Sequence, residues 1–282
     1  AGERLGYATD TPPVTVRFED GPNRYGAHRR ACNLCGQCNA GCNHGAKNSL
    51  DVTYLLRASQ DGAEIFAELE VMHIEQGAGG RGWVVQCRGQ QDHRIRAGAV
   101  VVSAGTVGTS KILLRSRAKG LSLSERVGEA LMTNGTMLGI GYSTDRETHS
   151  RGIGPTGDAD APVGPSIVGA LRLPTRSGRP ILVEDGAHPA FAITAMRYGM
   201  ALKNLQRRGP AALGGLRPGA ARKALDRTMN WLVMGDDGER RRITLTGRDV
   251  SISAAEEQAG ESYAAEVHET LGQLTAALGG AY

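Results

Sequence analysis

Four cysteines lie close together near the start of the chain, at a spacing that could hold an inorganic cofactor. The pattern is C-x2-C-x2-C-x3-C, formed by Cys32, Cys35, Cys38 and Cys42. Thiolates at this spacing are typical ligands of an iron–sulfur cluster. The Pro that usually follows the last ligand is replaced by Asn43. A single cluster also usually takes its fourth ligand from elsewhere, and only Cys87 is available for that role.

The same four residues also fit other interpretations. A zinc site needs two ligand pairs held apart by a longer loop, and this run is too compact for that arrangement. A disulfide pair is a further alternative. Cysteine is also a small apolar side chain that packs well inside a Gly-rich loop. We therefore expect a structural loop, with an iron–sulfur centre as the main alternative.

A second stretch, AVVVSAGTVGTSKILLRS at 99–116, has the pattern of a nucleotide-binding unit. The run AVVVS is continuously apolar and β-branched, as expected for a strand buried on both faces of a parallel sheet. Gly105 and Gly108 predict a tight turn, and the residues after them have helical spacing. A strand, a glycine turn and a helix bring backbone N–H groups to one point, which suits an anionic phosphate.

The remaining elements indicate a mixed α/β protein. A helix is predicted over 49–60, strands over 63–67, 70–75, 83–87 and 93–97, and a short strand over 14–18. Further strands are predicted at 166–173 and 180–185, with a hairpin at 241–245 and 249–253. The stretch 263–278 places Val267, Leu271, Leu274 and Leu278 on one stripe, which predicts an amphipathic helix.

Composition excludes several classes of protein. The 282 residues are 40% hydrophobic and 22% charged, and Gly (40) with Pro (11) stays below low-complexity levels. No apolar run is long enough for a transmembrane helix, so no integral membrane segment is expected. The net charge of +4 permits anionic ligands without indicating a nucleic-acid partner. Clustered cysteines on a chain of this length favour a reducing, cytoplasmic location.

Several phrases together resemble one enzyme family. The segment ACNLCGQCNAGCNHGAKNSLDVTYLLRASQDGAEIFAELEVMHIE and the phrase at 99–116 are similar to the glucose–methanol–choline (GMC) flavin oxidoreductases, closest to their cholesterol-oxidase-like branch. VGEALMTNGTM (127–137) and ILVEDGAHPAF (181–191) match later phrases of that branch in the same order. The resemblance implies a Rossmann-like FAD-binding domain with a parallel sheet and a substrate domain with an antiparallel sheet.

The resemblance also assigns residues to a site. Val71 matches a strand position whose backbone meets the adenine, and Ala104 and Gly105 match the return of the chain to the ADP portion of FAD. Asn134 and Gly135 match a turn near the flavin. Glu184 matches a glutamate that faces the substrate, where it could move a proton. Each position also has a plain structural interpretation, as a buried strand residue, a tight turn, a hairpin turn or a strand end.

Two features of the family are missing from the sequence. No G-x-G-x-x-G motif is present, and none of the seven histidines lies in the family's catalytic phrase. Because the chain starts without Met and stops just past a helix, both ends look cut, and we expect an incomplete FAD domain that is inactive by itself. The predicted domains are 1–135 for FAD binding with the cysteine loop, 136–260 for substrate, and 261–282 as a helix leading back.

The expected function is the oxidation of an alcohol, such as a sterol or another bulky alcohol, by hydride transfer to FAD. The partner is thus a small-molecule substrate, and the oligomeric state stays open. Two alternatives remain from the residues themselves: an iron–sulfur electron-transfer module on the four cysteines, and a non-enzymatic α/β binding domain.

Overall fold

The computed structural model describes residues 1–153, 162–189, 224–254 and 257–282, with the side chains of 257–261 excepted. The α-helices are α1 (Tyr54–Gln60), α2 (Gly105–Ala118) and α3 (Glu257–Ala276). Single 3-10 turns occur at Glu3–Leu5, Cys38–Ala40, Leu50–Val52 and Ala78–Gly80. The strands are β1 (Gly21–Pro22), β2 (His28–Arg29), β3 (Glu70–Gln76), β4 (Trp83–Arg88), β5 (Asp92–Ala97), β6 (Met137–Gly141), β7 (Ala170–Leu173), β8 (Ile181–Gly186), β9 (Met229–Gly235), β10 (Ile243–Thr246) and β11 (Asp249–Ile252).

The chain divides into two compact units. The first unit comprises Ala1–Ala63, Asn134–Asp236 and Ser262–Tyr282. The second unit comprises Glu64–Thr133 and Asp237–Glu261. These units are defined by compactness, and the assignment of 1–135, 136–260 and 261–282 to separate roles stays a prediction.

A four-stranded antiparallel sheet forms the centre of the first unit, in the order β6-β9-β8-β7. Strand residues alternate between the two faces of a sheet, so Ile181 and Val183 of β8 share one face. That face meets α3 and forms a core in which Val233 and Leu271 are both 0% exposed. The indole N–H of Trp231 in β9 donates to Thr275 Oγ1 of the helix at 3.0 Å.

The stripe predicted for the last helix is confirmed. Val267, Leu271 and Leu274 are fully buried, and Leu278 is 7% exposed just beyond the helix end. Gly139 of β6 allows α3 to lie close to the sheet, because a Cβ there would stand 2.4 Å from the Leu271 side chain.

The second unit is built on a three-stranded meander, formed by the strands predicted over 70–75, 83–87 and 93–97. Strands β3, β4 and β5 pair in that order, all antiparallel, and α2 packs against β3. Ser116 of α2 is completely buried and its Oγ accepts from the Ile74 N–H at 2.9 Å. The predicted hairpin is also confirmed as β10 and β11.

Several predicted strands are wrong. The stretch 99–103 is irregular, Val101 is 89% exposed, and every pair of strands in the described ranges is antiparallel. A strand of that composition needs hydrogen-bonded neighbours and cover on both faces, and the described residues supply neither. The parallel Rossmann-like sheet is therefore not present among them. Residues 63–67 are also irregular, since Ile65 and Phe66 are 62% and 64% exposed.

Three further elements are shorter than predicted. The helix expected over 49–60 is a 3-10 turn followed by α1. The strand expected over 166–173 begins only at Ala170, and the one over 14–18 reduces to a single bridge between Val16 and Lys47. None of the helices in the described ranges is both long enough and apolar enough to cross a membrane.

Because α3 holds the sheet of the first unit together, Leu271→Ala should be strongly destabilising. We expect a loss of about 2–5 kcal/mol in the free energy of unfolding, measured by urea denaturation. Leu138→Ala is the matched control, since Leu138 is 77% exposed on β6 and surface truncation costs less than about 0.5 kcal/mol. Equal losses for the two variants would contradict this account of the core.

Candidate functional site

Glu184 lies on the sheet face of the first unit that α3 does not cover. On β8, Val183 points to the helix, so Glu184 points the opposite way, as strand alternation requires. Its partners across the sheet are Ala170 on β7 and Leu232 on β9. Glu184 is only 8% exposed. A carboxylic acid is thus largely withdrawn from water on a face that is otherwise mainly apolar.

This setting changes the acidity of Glu184. Burial raises the pKa of the Glu184 carboxyl, and the neighbouring Asp185 charge raises it further. Asp185 itself is fixed on the other side, where its Oδ1 accepts from the Val168 and Gly169 N–H groups at 2.8 Å and 2.7 Å. A carboxyl with a raised pKa exchanges protons more readily near neutral pH, which is what general acid–base chemistry requires.

A second polar group on this face was not identified from the sequence. Asn230 of β9 lies opposite Gly186 and is 7% exposed. Its Nδ2 donates to Ser150 O at 3.1 Å and to Gly186 O at 3.4 Å. Burial lowers the pKa of the nearby His188, and a hydrogen bond with the Asn230 side chain opposes that shift. A polar residue at a buried position of the apolar run MNWLVMG was the signal that could have found it.

Asn134 and Gly135 stand just before β6, and the structure gives Gly135 a packing role. Gly135 has φ +51°, and a Cβ there would lie 2.7 Å from the Tyr263 hydroxyl oxygen. That hydroxyl donates to Gly135 O at 2.8 Å, and the Gly235 N–H donates to Asn134 O at 2.8 Å. Asn134 is exposed. The interpretation as a hairpin turn is wrong, because β6 pairs with β9.

Val71, Ala104 and Gly105 all lie in the second unit. Val71 is half-buried on β3 opposite Cys87, beside a register shift in the strand. Ala104 and Gly105 are exposed at the start of α2. Lys111 Nζ of α2 lies 3.7 Å from Glu70 Oε1, next to Val71. Gly105 and Lys111 are six positions apart on α2, so the distance between them along the helix axis is about 9 Å.

The start of α2 is open to a ligand. Gly105 has φ +71°, and nothing lies within 4 Å of the position its Cβ would take. No side chain caps the helix, and no acidic residue lies in its first turn. The N–H groups of a first helical turn have no partner inside the helix and carry partial positive charge. This end of α2 can therefore receive an anionic group.

The predicted site residues thus form two sets that are described separately. The first unit contains Asn134, Gly135 and Glu184. The backbone of Asn134 is hydrogen-bonded to Gly235 at the end of β9, and Glu184 is paired with Leu232 on the same strand. Gly235 and Leu232 are three residues apart, or about 10 Å along the strand. The second set is Val71, Ala104 and Gly105.

The cysteine loop is held by its backbone. The Ile153 N–H donates to Cys35 O at 3.0 Å, and the Gly164 N–H donates to Leu34 O at 2.8 Å. Gly36, with φ +67°, packs so tightly that a Cβ would lie 2.7 Å from the Val163 side chain. Small residues are therefore needed here for packing.

The iron–sulfur alternative gains no support from the loop. Within the described ranges, no three His, Cys, Asp or Glu side chains converge as metal ligands. Burial raises the pKa of the Cys32 thiol. Burial would also raise the pKa of the Cys42 thiol, but the backbone N–H groups of 44–47 outweigh it and lower that pKa. The Ala46 N–H, at 3.3 Å from Cys42 Sγ, shows this contact directly.

Comparisons with known proteins support the resemblance to the GMC flavin oxidoreductases. Residues 23–134 match the sequence profile described as GMC oxidoreductase. A cholesterol oxidase of Acinetobacter baumannii is 30% identical over 144 residues, which is 46% of this chain and 26% of that protein. A cholesterol oxidase of Mycobacterium tuberculosis is 35% identical over 147 residues, 48% of this chain and 24% of that protein. An uncharacterized GMC-type oxidoreductase of Sinorhizobium fredii is 33% identical over 117 residues. The matched region spans about a quarter of the length of these relatives.

The raised pKa of Glu184 predicts a pH-dependent effect of Glu184→Gln on stability. A raised pKa in the folded state favours folding at pH values below the ordinary Glu range, near 4.3, and this contribution is lost as pH rises through the folded pKa. The melting temperature of Glu184→Gln relative to the unsubstituted protein should therefore increase between pH 4 and pH 7, measured by calorimetry.

The control is Glu64→Gln, which removes an exposed carboxylate and should leave the difference in melting temperature flat across the same range. A pH-independent difference for Glu184→Gln would show that this carboxyl titrates normally.

Proposed function

We propose that this chain, which belongs to the GMC oxidoreductase family and is cholesterol-oxidase-like, takes part in the FAD-dependent oxidation of an alcohol. The observation that carries the proposal is the family match over residues 23–134, which covers part of the family's FAD-binding domain. The match includes Val71, Ala104, Gly105 and Asn134, and Gly135 directly follows it. Activity of the whole protein and the choice of alcohol are both part of the proposal.

The start of α2 fits the diphosphate of FAD. Its first N–H groups lack a side-chain cap, and no carboxylate in the first turn would repel an anion. Gly105 leaves open space where another residue would carry a Cβ. Helix N-termini with this geometry are common binding sites for phosphate groups. We assign Ala104 and Gly105 to the ADP portion and Val71 to the adenine.

The flavin portion is assigned to Asn134 and Gly135. Asn134 is exposed, and its Oδ1 accepts from the Thr136 hydroxyl at 2.5 Å, so its Nδ2 is the group available to donate to a ring nitrogen or carbonyl of the flavin. Gly135 is held by the Tyr263 hydroxyl at 2.8 Å. This contact fixes the backbone that would approach the flavin, which is how a protein orients a redox cofactor.

Glu184 is the residue proposed to handle a proton at the substrate. FAD, when bound, accepts a hydride from the carbinol carbon, while the hydroxyl proton passes to a base. Glu184 lies opposite Leu232 and near Leu182 on the uncovered sheet face. Its raised pKa suits it to hold or pass a proton along a substrate within an apolar environment.

The apolar side chains around Glu184 favour a bulky, apolar alcohol. Leu138 is 77% exposed on this face, and Leu182, Leu232 and Met234 are half-buried. An open apolar face of this kind gains free energy by covering hydrocarbon surface. Sterols are the class we propose, in line with the cholesterol oxidases among the relatives. In this proposal 1–135 serves FAD, 136–260 serves the substrate and 261–282 returns to the FAD domain.

The proposal predicts a flavin absorption spectrum in the purified product of the complete gene. Two visible flavin bands should be present and should bleach when cholesterol is added without oxygen, because hydride transfer reduces the flavin. The saturated hydrocarbon cholestane is the control, since it lacks the hydroxyl and should leave the bands unchanged. A colourless protein would overturn the proposal, and a yellow protein that bleaches only with dithionite would overturn the sterol assignment.

The role of Gly105 predicts a loss of FAD on Gly105→Ala. The added methyl group both strains a backbone at φ +71° and occupies the space left for the diphosphate. We expect several-fold less FAD per protein, measured by absorbance after gel filtration. Gly120→Ala is the matched control, because Gly120 follows the other end of α2 with φ +96° and equally open surroundings. Equal FAD loss in both variants would assign the effect to backbone strain alone.

A further inference from the structure

A basic cleft in the first unit has no role in the proposed oxidation. Its volume is about 520 Å³, which falls within the range of small-molecule sites. The cationic residues on its walls are Arg17, Arg24 and Lys47. The other lining residues are Thr15, Asn23, Tyr25, Asn48, Ser49, Leu50, Thr53 and Tyr54. None of these lining residues is an acid; the exposed Asp51 carboxylate bonds the Ser49 side chain, so three cations face a single neighbouring carboxylate.

The hydrogen bonds of the two arginines leave their charge unneutralised. Arg17 donates from Nε to Glu19 O at 3.2 Å and from Nη1 to Pro22 O at 3.0 Å, and both acceptors are neutral carbonyls. Arg24 donates to the Tyr25 hydroxyl, and its guanidinium carbon lies 4.8 Å from the centre of the Tyr25 ring. These contacts orient the guanidinium groups without supplying an anion.

Lys47 completes the positive wall. Its backbone forms a bridge with Val16, which places it beside the segment that carries Arg17. Among the ion pairs found in the described part of the chain, none involves Arg17, Arg24 or Lys47. Three cations on one cleft, with no carboxylate among its lining residues, attract an anion, most strongly one with more than a single charge.

The base of the cleft is rigid. Asn23 is 9% exposed, and its Nδ2 donates to Asn48 Oδ1 at 3.1 Å and to Val52 O at 2.8 Å. Its Oδ1 accepts from the Tyr25 N–H at 2.9 Å and the Ala27 N–H at 3.1 Å. One side chain therefore ties together the two segments that form the walls, so the cations are positioned before a ligand arrives.

One wall of the cleft is apolar and exposed. Tyr54 and Leu50 are each 63% exposed, and the Tyr54 ring lies 5.7 Å from the Tyr25 ring, centre to centre. Arg24 covers the Tyr25 ring and also donates to the Tyr54 hydroxyl at 3.5 Å, which leaves the exposed ring of Tyr54 as the aromatic surface available to a ligand. An aromatic ring stacked there would gain both apolar contact and aromatic interaction energy.

We propose that this cleft binds an organic phosphate of nucleoside-diphosphate type. The diphosphate lies against Arg17, Arg24 and Lys47, and the base lies on Tyr54 and Leu50. Arginine and lysine together are the usual partners of phosphate oxygens. The cleft is lined only by residues of the first unit, and the argument for it uses neither Ala104 nor Gly105 of the proposed FAD site.

The test is calorimetric titration of the full chain with ADP, pyrophosphate and adenosine. We expect ADP to bind, pyrophosphate to bind more weakly and adenosine to show no measurable binding. Lys47→Gln should weaken ADP at least tenfold, whereas Lys119→Gln, which removes an exposed positive charge from the second unit, should change nothing. Affinity for ADP should also fall with added salt, because exposed charges are screened.

Two further variants separate the possible outcomes. Tyr54→Ala should weaken ADP several-fold more than pyrophosphate, since the base contacts the ring, whereas Tyr54→Phe, which removes only the hydroxyl contact with Arg24, should keep most of the ADP affinity. If Gly105→Ala abolishes ADP binding and Lys47→Gln does not, the nucleotide binds at α2, which supports the FAD proposal and overturns this one. Absence of ADP binding, or equal affinity of Tyr54→Ala for ADP, would also overturn the inference.

Discussion

The packing of α3 against the sheet β6-β9-β8-β7 is the interaction on which the first unit depends. The helix supplies Val267, Leu271 and Leu274, all fully buried, and the sheet supplies Val183 and Val233. Each buried side chain of this size contributes about 1.5–3 kcal/mol, so this interface dominates the stability of the unit. It also decides which face of the sheet is left for chemistry, since strand alternation then directs Glu184 to the uncovered face.

The placement of Glu184 is therefore a consequence of the core. The one-residue offset between Val183 and Glu184 means that any slip of register would exchange them, placing a carboxylate against α3. Burying a charge in that core would cost far more than one hydrogen bond returns. The strong apolar pattern of β8 and α3 thus protects the position of Glu184, and burial on the opposite face raises the pKa of its carboxyl.

Sequence patterns correctly predicted two kinds of element: strands that pair with their neighbours along the chain, and a helix with a clear apolar stripe. The stripe through Leu271 predicted α3, and alternation predicted the meander β3-β4-β5, whose strands are neighbours in sequence. The stretch around Val101 failed for the opposite reason. Its continuously apolar residues are typical of a strand that is buried on both faces, and only residues distant in sequence can supply that cover. A propensity for β structure does not form a strand without hydrogen-bonded partners.

The candidate site was predicted unevenly for similar reasons. A special backbone conformation at Gly105 could be expected because a glycine at the start of a helix has a local meaning, and Gly105 has positive φ; its contact with FAD stays a prediction. The cysteine spacing left several interpretations open because metal binding depends on where the side chains point in space, which spacing along the chain does not determine. Asn230 was missed, although a polar residue within the apolar run MNWLVMG marks an unusual position, because its pairing with Gly186 on the neighbouring strand depends on non-local contacts.

Glu184 and the basic cleft, both in the first unit, differ in their exposure to water. This difference in solvation favours different chemistry at the two places. Glu184 is withdrawn from water, so its proton becomes easier to keep and transfer at neutral pH. Arg17, Arg24 and Lys47 stay at an open cleft, where water lowers the cost of holding three like charges together. An anion entering the cleft would replace that water, and a rigid base such as the one built on Asn23 reduces the entropy lost on binding. These contrasting environments are the physical reason why we propose proton transfer at the sheet face and anion binding at the cleft.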